Sequence, residues 1–425
     1  MLVNFKVKNY KSFKDEIEFS LEATKLKQLK ETNTFDKHNL SLLKSAVVYG
    51  ANASGKSNLL DAMHKMKTII KSSSDIERQK RYPHEPFLLN IDTEKEPTYY
   101  ECIFIENDNL YRYGFEIETT SNIKEEWLYQ KKLKKYAQEV LLFNRKKNKF
   151  NLGASFSEGK NIEDKTRQNA LFLSVVAQFN GKISQEVLSW FDKWNIISNL
   201  RSEEFKHYSF DMLEDESFKE KIVKFIKSAD TGITDIRKKK VDFSSLNIEN
   251  DELKDIPDFI VEKLKEDGLS TIETMHMQYD NNNMFKQLKS FNLEFESDGT
   301  QRLLALSAPL IDVLLKGEII VVDELDNSMH TDLVQSIIKL FNCPKANPNN
   351  AQLIFSTHDT NLLNQELFRR DQIWFVQKDI YGSSELYSLI EYGQGKIRED
   401  LALEKNYLDG KFGGKPYISS SLMEL

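Results

Sequence analysis

The opening residues alternate between apolar and polar positions. Phe5 and Val7 mark one run, and Ile17, Phe19 and Leu21 mark another after the turn-like NYKSFKDE, which predicts a hairpin. SAVVYG, residues 45–50, breaks the alternation with a continuous apolar run and predicts a short buried strand that enters a glycine-bearing loop. Beyond that loop, Leu59, Leu60, Met63, Met66 and Ile69 recur at helical spacing, giving the order strand, loop, helix. TYYECIFIE and YRYGFEIE then predict two strands around NDN.

From about residue 125 the pattern changes. EEWLYQKKLKKYAQEVLLFNRKKNKF reads as charged hairpins, and QEVLSWFDKW, ESFKEKIVKFIKS and DFIVEKLKED read as helices. VDFSSLNIENDELKD reads as a flexible connection. Strand and helix alternate again near residue 291, with FNLEFE as a strand and TQRLLALSAPLIDVLLKG as a helix that Pro309 could kink. EIIVVDE, QLIFSTH and QIWFVQ follow as strands. Short apolar strands separated by helices imply a parallel sheet covered on both faces. The expected fold class is α/β, with an N-terminal lobe over residues 1–125, a mostly helical insertion over 126–290, a C-terminal lobe over 291–400 and a tail over 401–425. No fixed-period repeat is visible, which disfavours a solenoid.

Composition narrows this picture. At 425 residues the chain is long enough for two or three domains of roughly 150 residues each. With 40% hydrophobic and 29% charged residues and no apolar run of membrane-spanning length, a cytoplasmic protein without a membrane partner is expected. Two cysteines, Cys102 and Cys343, form no CxxC pair and read as packing thiols. A net charge of -7 argues against indiscriminate coating of nucleic acid.

The chemistry is carried by Gly50-Ala-Asn-Ala-Ser-Gly55-Lys56-Ser57, which fits G-x-x-x-x-G-K-[ST] at every specified position. Backbone N–H groups of such a loop wrap phosphate oxygens, the helix N-terminus adds partial positive charge, the lysine bridges phosphates and the serine ligates Mg²⁺. Gly50, Asn52, Ala53, Ser54, Gly55, Lys56, Ser57 and Asn58 are therefore candidate contacts for ATP. Asp323, ending EIIVVD, is the candidate second Mg²⁺ partner, and Glu324 beside it is the candidate base for an attacking water. In ESDGTQRLL, Ser297 and Gly299 can donate to a γ-phosphate from a helix start, and His358 of IFSTHD is a candidate γ-phosphate sensor.

The order strand, G-x-x-x-x-G-K-S, long insertion, S-x-G, hydrophobic-D-E, S-T-H-D resembles that of ABC-type ATPases. GANASGKSNLLDAM and NYKSF resemble the RecF, SMC and OLD-like branch. With EPFLL, LYRYGFEI, LLFNR, NALFLSVVAQFN, KSADTGITDI, DELDNSMH, STHDTNLL and YLDGKFGGKPYI, the chain is similar to bacterial AAA-family ATP-binding proteins of phage-defence systems, such as RloA, AbiL and the AriA subunit of PARIS. This resemblance covers nearly the whole chain and is weakest between about residues 200 and 270. It implies an ABC-type, RecF/SMC-like P-loop NTPase head in which two copies sandwich two nucleotides. Each nucleotide would be held by one head's Gly50-to-Ser57 loop and capped by the other's Ser297 and Gly299. Glu324 would be the general base, Asp323 and Ser57 the magnesium partners, His358 the switch contact, and Ser328 a residue near the dimer axis. The signature departs from L-S-G-G-Q, reading Glu296-Ser-Asp-Gly-Thr300, and Gln79 is only a nominal Q-loop residue.

The remaining expectations concern the effector. Ser57 and Asp323 stand 266 positions apart, too far for one crossover, yet no sustained heptads mark a coiled coil. After His358 only 67 residues follow, too few for the Toprim nuclease domain of OLD-family proteins. An R-x5-H pattern occurs twice, at Arg78 with His84 and at Arg201 with His207, and carries no weight. Basic clusters at Lys131 to Lys135, Arg145 to Lys149 and Arg237 to Lys240 read either as solvated tips or as a surface for nucleic acid, a phage protein or an effector. The expected function is an ATPase that assembles through head dimerisation, with larger rings as an extension, and controls a separately encoded effector, a nuclease, in antiphage defence. The alternatives are a RecF/SMC-like DNA-repair ATPase and a non-hydrolysing nucleotide-dependent scaffold.

Overall fold

A computed structural model describes residues 1–75, 84–118, 121–198, 202–241, 269–391 and 402–415. The chain divides into two units. The first comprises Met1–Asn199, Val313–Asp326 and Val334–Leu425, and the second Leu200–Asp312 and Asn327–Leu333.

In the first unit the chain begins with β1 (Leu2–Lys8) and β2 (Ile17–Ser20). The small hairpin of β3 (Thr34–Lys37) and β4 (Leu40–Leu43) follows, and then β5 (Ser45–Tyr49). After the helix Lys56–Ser72 come β6 (Thr98–Glu106), β7 (Asn109–Ile117), β8 (Ile123–Lys132), β9 (Val140–Lys146) and β10 (Lys149–Leu152). The helices Phe172–Gln178 and Lys182–Asp192 lead to β11 (Trp194–Ile197). The second unit holds β12 (Ile233–Val241), β13 (Leu269–Tyr279) and β14 (Phe285–Asn292). The chain then re-enters the first unit for β15 (Ile319–Val322), β16 (Gln352–Ser356), β17 (Ile373–Lys378) and β18 (Ser384–Ser388).

Two sheets build the first unit. One has the order β11-β15-β16-β5-β17-β18, with every pairing parallel except β17 with β18. Its central strands are buried at every position, as parallel strands covered on both faces must be. The other is antiparallel, in the order β10-β9-β8-β7-β6-β1-β2. The helix Lys56–Ser72 buries Leu59, Leu60, Ala62, Met63, Met66, Ile69 and Ile70. These join one core with Phe5, Phe19 and Phe104 of the antiparallel sheet and Val48 and Ile354 of the parallel one. Within that core Trp190 stacks on Phe104 with ring centroids 3.8 Å apart.

Several expectations change here. Residues 126–152, read as the start of the insertion, form β8, β9 and β10 of the first unit's antiparallel sheet. The reason is burial: Trp127, Leu128, Leu142 and Phe143 are all inside, and full ladders join β7 to β8 and β8 to β9. The QEVLSWFDKW helix also belongs to this unit, through buried Val187, Trp190 and Phe191. The second unit combines the helices Ser202–Met212 and Glu216–Lys227 with the antiparallel sheet β12-β13-β14, so it is not simply helical. FNLEFE leaves β14 at Asn292 and turns into a short helical turn, Leu293–Phe295, closed by Glu296 N–H donating to the Leu293 carbonyl. The helix Asp298–Lys316 contains Pro309 in its interior. The DFIVEKLKED segment, nearly all of VDFSSLNIENDELKD, and Gln79, Arg78 and Arg201 lie outside the described residues.

Arg145 is the other correction. Read as part of a basic cluster, it is fully buried and donates to the carbonyls of Lys147, Ala170 and Arg167 at 2.7, 2.6 and 3.1 Å, 3.8 Å from the equally buried Glu126. Glu126 in turn accepts the backbone N–H groups of Phe172 and Leu173, fixing the start of the helix Phe172–Gln178 to β8. This arginine is a structural tie.

Candidate functional site

β5 delivers the loop Gly50–Gly55 at its C-terminal end, between β16 and β17, and the helix Lys56–Ser72 leaves from it. Carboxyl ends of parallel strands are where ligands bind in open α/β sheets. The glycines are needed on steric grounds. A Cβ on Gly50 would lie 2.4 Å from the Val376 carbonyl and 2.5 Å from Ser54 Oγ, and Gly55 sits at φ 115°, in a region L side chains rarely adopt. Ala53 is also left-handed, at φ 61°, and Ser54 N–H closes a turn onto the Ala51 carbonyl.

The loop is braced from behind. Ser384 Oγ donates to the Ser54 carbonyl at 2.5 Å, and Ser384 N–H donates to the Ser12 carbonyl at 2.7 Å. Asn58, read as a nucleotide contact, directs its amide to Ser12 Oγ at 2.8 Å. Tyr10 and Lys11 both donate to Asp61 at 2.5 Å, tying the turn after β1 to the helix after the loop. The turn NYKSF thus buttresses the phosphate loop. In the sequence NYKSF stands out only as a hairpin turn and as a likeness, and nothing in the neighbourhood of Ser384 marks that residue.

Lys56 is buried, and its ammonium donates to the carbonyls of Gly50 and Ala51 at 2.8 and 3.1 Å. Burial lowers its pKa to about 8, opposed by the charges of Asp323, Glu324 and Asp326. The strand registers explain why these carboxylates are near. Val48 pairs with Ser356 and Phe355 with Val322, so the residues that follow β5, β16 and β15 emerge side by side.

The turn after β15 is fastened to the end of β16. Ser356 Oγ donates to Asp323 Oδ1 at 2.5 Å and accepts the Glu324 N–H at 2.8 Å. Leu325 N–H donates to the Ser356 carbonyl at 3.1 Å, and His358 N–H donates to Asp326 Oδ2 at 3.2 Å. Glu324 is held at φ 50°, a left-handed conformation that costs a non-glycine residue about 1–2 kcal/mol. Its Oε1 lies 3.4 Å from Nε2 of His358. The expected base and the expected switch histidine are therefore neighbours at the same strand ends as Lys56.

These residues suit a nucleoside triphosphate with Mg²⁺. Ser54 Oγ and Asp326 Oδ1 are buried polar atoms without a hydrogen-bond partner, which is uncommon unless a ligand or water serves them. Among the described residues no cluster of three or more His, Cys, Asp or Glu forms a protein-only cage. One hydroxyl, Ser57, and one carboxylate, Asp323, are a donor set for a cation that takes its other ligands from phosphates and water. Asn52 and Ala53 are exposed at the loop tip, and Ser57 is exposed in the first helical turn.

Ser297 and Gly299 lie in the second unit and are described within it. Ser297 Oγ accepts the Thr300 N–H at 3.2 Å, capping the helix Asp298–Lys316. A Cβ on Gly299 would stand 2.3 Å from the carbonyl of Ser328, whose own φ is 59°. The signature segment and the residue expected at the dimer axis therefore touch, which no spacing rule could show. Glu296 anchors the segment by accepting from Thr274 and, at 2.7 Å, from His276.

Several residues of the second and third basic clusters are paired with carboxylates. Lys146 faces Glu125, Lys238 faces Asp211 and Glu214, and Lys239 faces Glu273. Among the described residues no helix is long and apolar enough to cross a membrane. No curated protein matches the chain. The model of the family described as "AAA domain, putative AbiEii toxin, Type IV TA system" matches residues 45–364, from the first residue of β5 to just beyond His358. With three quarters of its length inside that match, and with the phosphate loop, Asp323, Glu324 and His358 all within it, the chain belongs to this AAA domain family.

Proposed function

We propose that this protein is an ATP-binding and ATP-hydrolysing enzyme with an ABC-type head, which assembles head to head around shared nucleotides and controls a separately encoded effector, a nuclease, in antiphage defence. The observation that carries the enzymatic part is the convergence of Lys56, Asp323 and Glu324 at adjacent strand ends, with His358 3.4 Å from Glu324. Lys56 and the loop N–H groups bind phosphate oxygens, and Ser57 with Asp323 would hold Mg²⁺, which screens phosphate charge when bound. Glu324 Oε1 is the acceptor for a proton from water, and His358 orients that carboxylate from the next strand. Ser297, Gly299 and Ser328, packed together in the second unit, supply the surface offered to the partner's nucleotide. The family's description as a toxin of a type IV system supports a role in defence. A phage protein or a nucleic acid would be the trigger. DNA clamping draws less support, because Lys238 and Lys239 are already matched by carboxylates.

The experiment is a pair of variants. Lys56→Ala should lose ATP binding, whereas Glu324→Gln should bind ATP, hydrolyse it at least about 100-fold more slowly and accumulate as a dimer or larger assembly in light scattering. Parental turnover by Glu324→Gln would refute the base, and a monomer under saturating ATP would refute the shared-nucleotide assembly.

A further inference from the structure

Ser356 is fully buried at the last position of β16, two residues before His358, and its hydroxyl bridges two elements of the site. A hydroxyl has one proton, and here it is directed at Asp323 Oδ1, because a lone pair of the same oxygen takes the Glu324 N–H. The direction of each bond is therefore fixed by the other. The first holds one oxygen of the carboxylate expected at the metal. The second holds the peptide of the expected base in its left-handed conformation.

We infer that Ser356 is a positioning residue, which sets the orientation of Asp323 toward Mg²⁺ and couples it to Glu324 and to the strand that carries His358. This rests on the proposed ATPase reading of the same site. The bonds around it support a coupling role: Leu325 N–H to the Ser356 carbonyl and His358 N–H to Asp326 clamp the same turn to the same strand end. On this reading, a shift of the His358 segment that follows β16 would reach Asp323 through the Ser356 side chain. Partners that orient a metal ligand typically change metal affinity by about 10–100-fold when removed.

The test compares Ser356→Ala and Ser356→Thr with the parent, using a fluorescent ATP analogue in EDTA and then across a Mg²⁺ titration, with thermal unfolding recorded alongside. Ser356→Ala should bind the analogue in EDTA as the parent does, since Lys56 and the loop are untouched. The Mg²⁺ concentration needed for half-maximal tightening should rise about 10–100-fold. Ser356→Thr, which keeps the hydroxyl, should restore the parental value. If Ser356→Ala does not fold, Ser356→Cys serves in its place, since it keeps a heavy atom at the hydroxyl position and weakens the hydrogen bonds. An unchanged Mg²⁺ requirement, or equal losses with and without Mg²⁺, would overturn the role of Ser356. Failure of the parent itself to bind the analogue would instead overturn the ATPase reading, and the two failures are thereby told apart.

Discussion

If the loop binds nucleotide as proposed, Lys56 should make that affinity depend on pH in a range where ordinary lysines do not titrate. Its pKa is brought down to about 8 by burial against the loop, with Asp323, Glu324 and Asp326 limiting the fall. If phosphate binds only the ammonium form, the protonated fraction of the free protein falls from about 0.9 at pH 7 to about 0.1 at pH 9, and the apparent affinity falls about tenfold. The assay is titration of a fluorescent ATP analogue in EDTA at constant ionic strength across this range. Glu324→Gln supplies the internal control, because removing a carboxylate that raises the lysine's pKa must move the midpoint to lower pH. A flat profile between pH 7 and 9, or a midpoint that moves upward in Glu324→Gln, would refute the placement of Lys56. The same displacement acts on folding. The folded pKa lies below the unfolded value of 10.5, so the unfolded chain binds more protons between about pH 8 and 10.5, and Lys56's contribution to stability rises with pH through that window.

Gly50→Ala drives a Cβ into the Val376 carbonyl and Ser54 Oγ, and it should cost about 1–3 kcal/mol in urea denaturation together with most nucleotide binding. Arg145→Ala leaves Glu126 buried without its cation and should cost about 3–5 kcal/mol in the same measurement. Gly299→Ala collides with the Ser328 carbonyl and should weaken ATP-dependent association in light scattering, while nucleotide affinity of the isolated protomer stays at the parental value. Reversing Lys238 and Lys239 to Glu should leave ATP turnover unaffected by added DNA, as in the parent; DNA stimulation that the double reversal abolishes would favour the clamp alternative.

The candidate site was legible because its residues sit in local patterns with local causes. A phosphate loop needs glycine at Gly55 for its left-handed backbone, and a continuous apolar run such as SAVVY, too short for a helix and bounded by a glycine, fits a covered strand. The pairing of Arg145 with Glu126 was hidden, since a lysine- and arginine-rich hairpin looks the same whether its arginine points outward or inward. The boundary near residue 126 failed for a related reason. Lys131 and Lys132 of β8 are exposed and read as an outward-facing segment, while Trp127 and Leu128 are buried in a sheet that reaches back to β1 and β2 at the start of the chain.

The sequence alone marked the phosphate-loop pattern with its acidic and histidine candidates, and determined that strands and helices alternate around them, since spacing, backbone freedom and apolar periodicity are properties of short segments. The tertiary structure decided that β5 stands between β16 and β17, that Ser356 joins Asp323 to Glu324, and that Ser12 and Ser384 brace the loop. Hydrogen bonds across tens to hundreds of residues depend on strand register and on which groups burial leaves in need of a partner. That choice is made by the packed sheet, and no single segment encodes it.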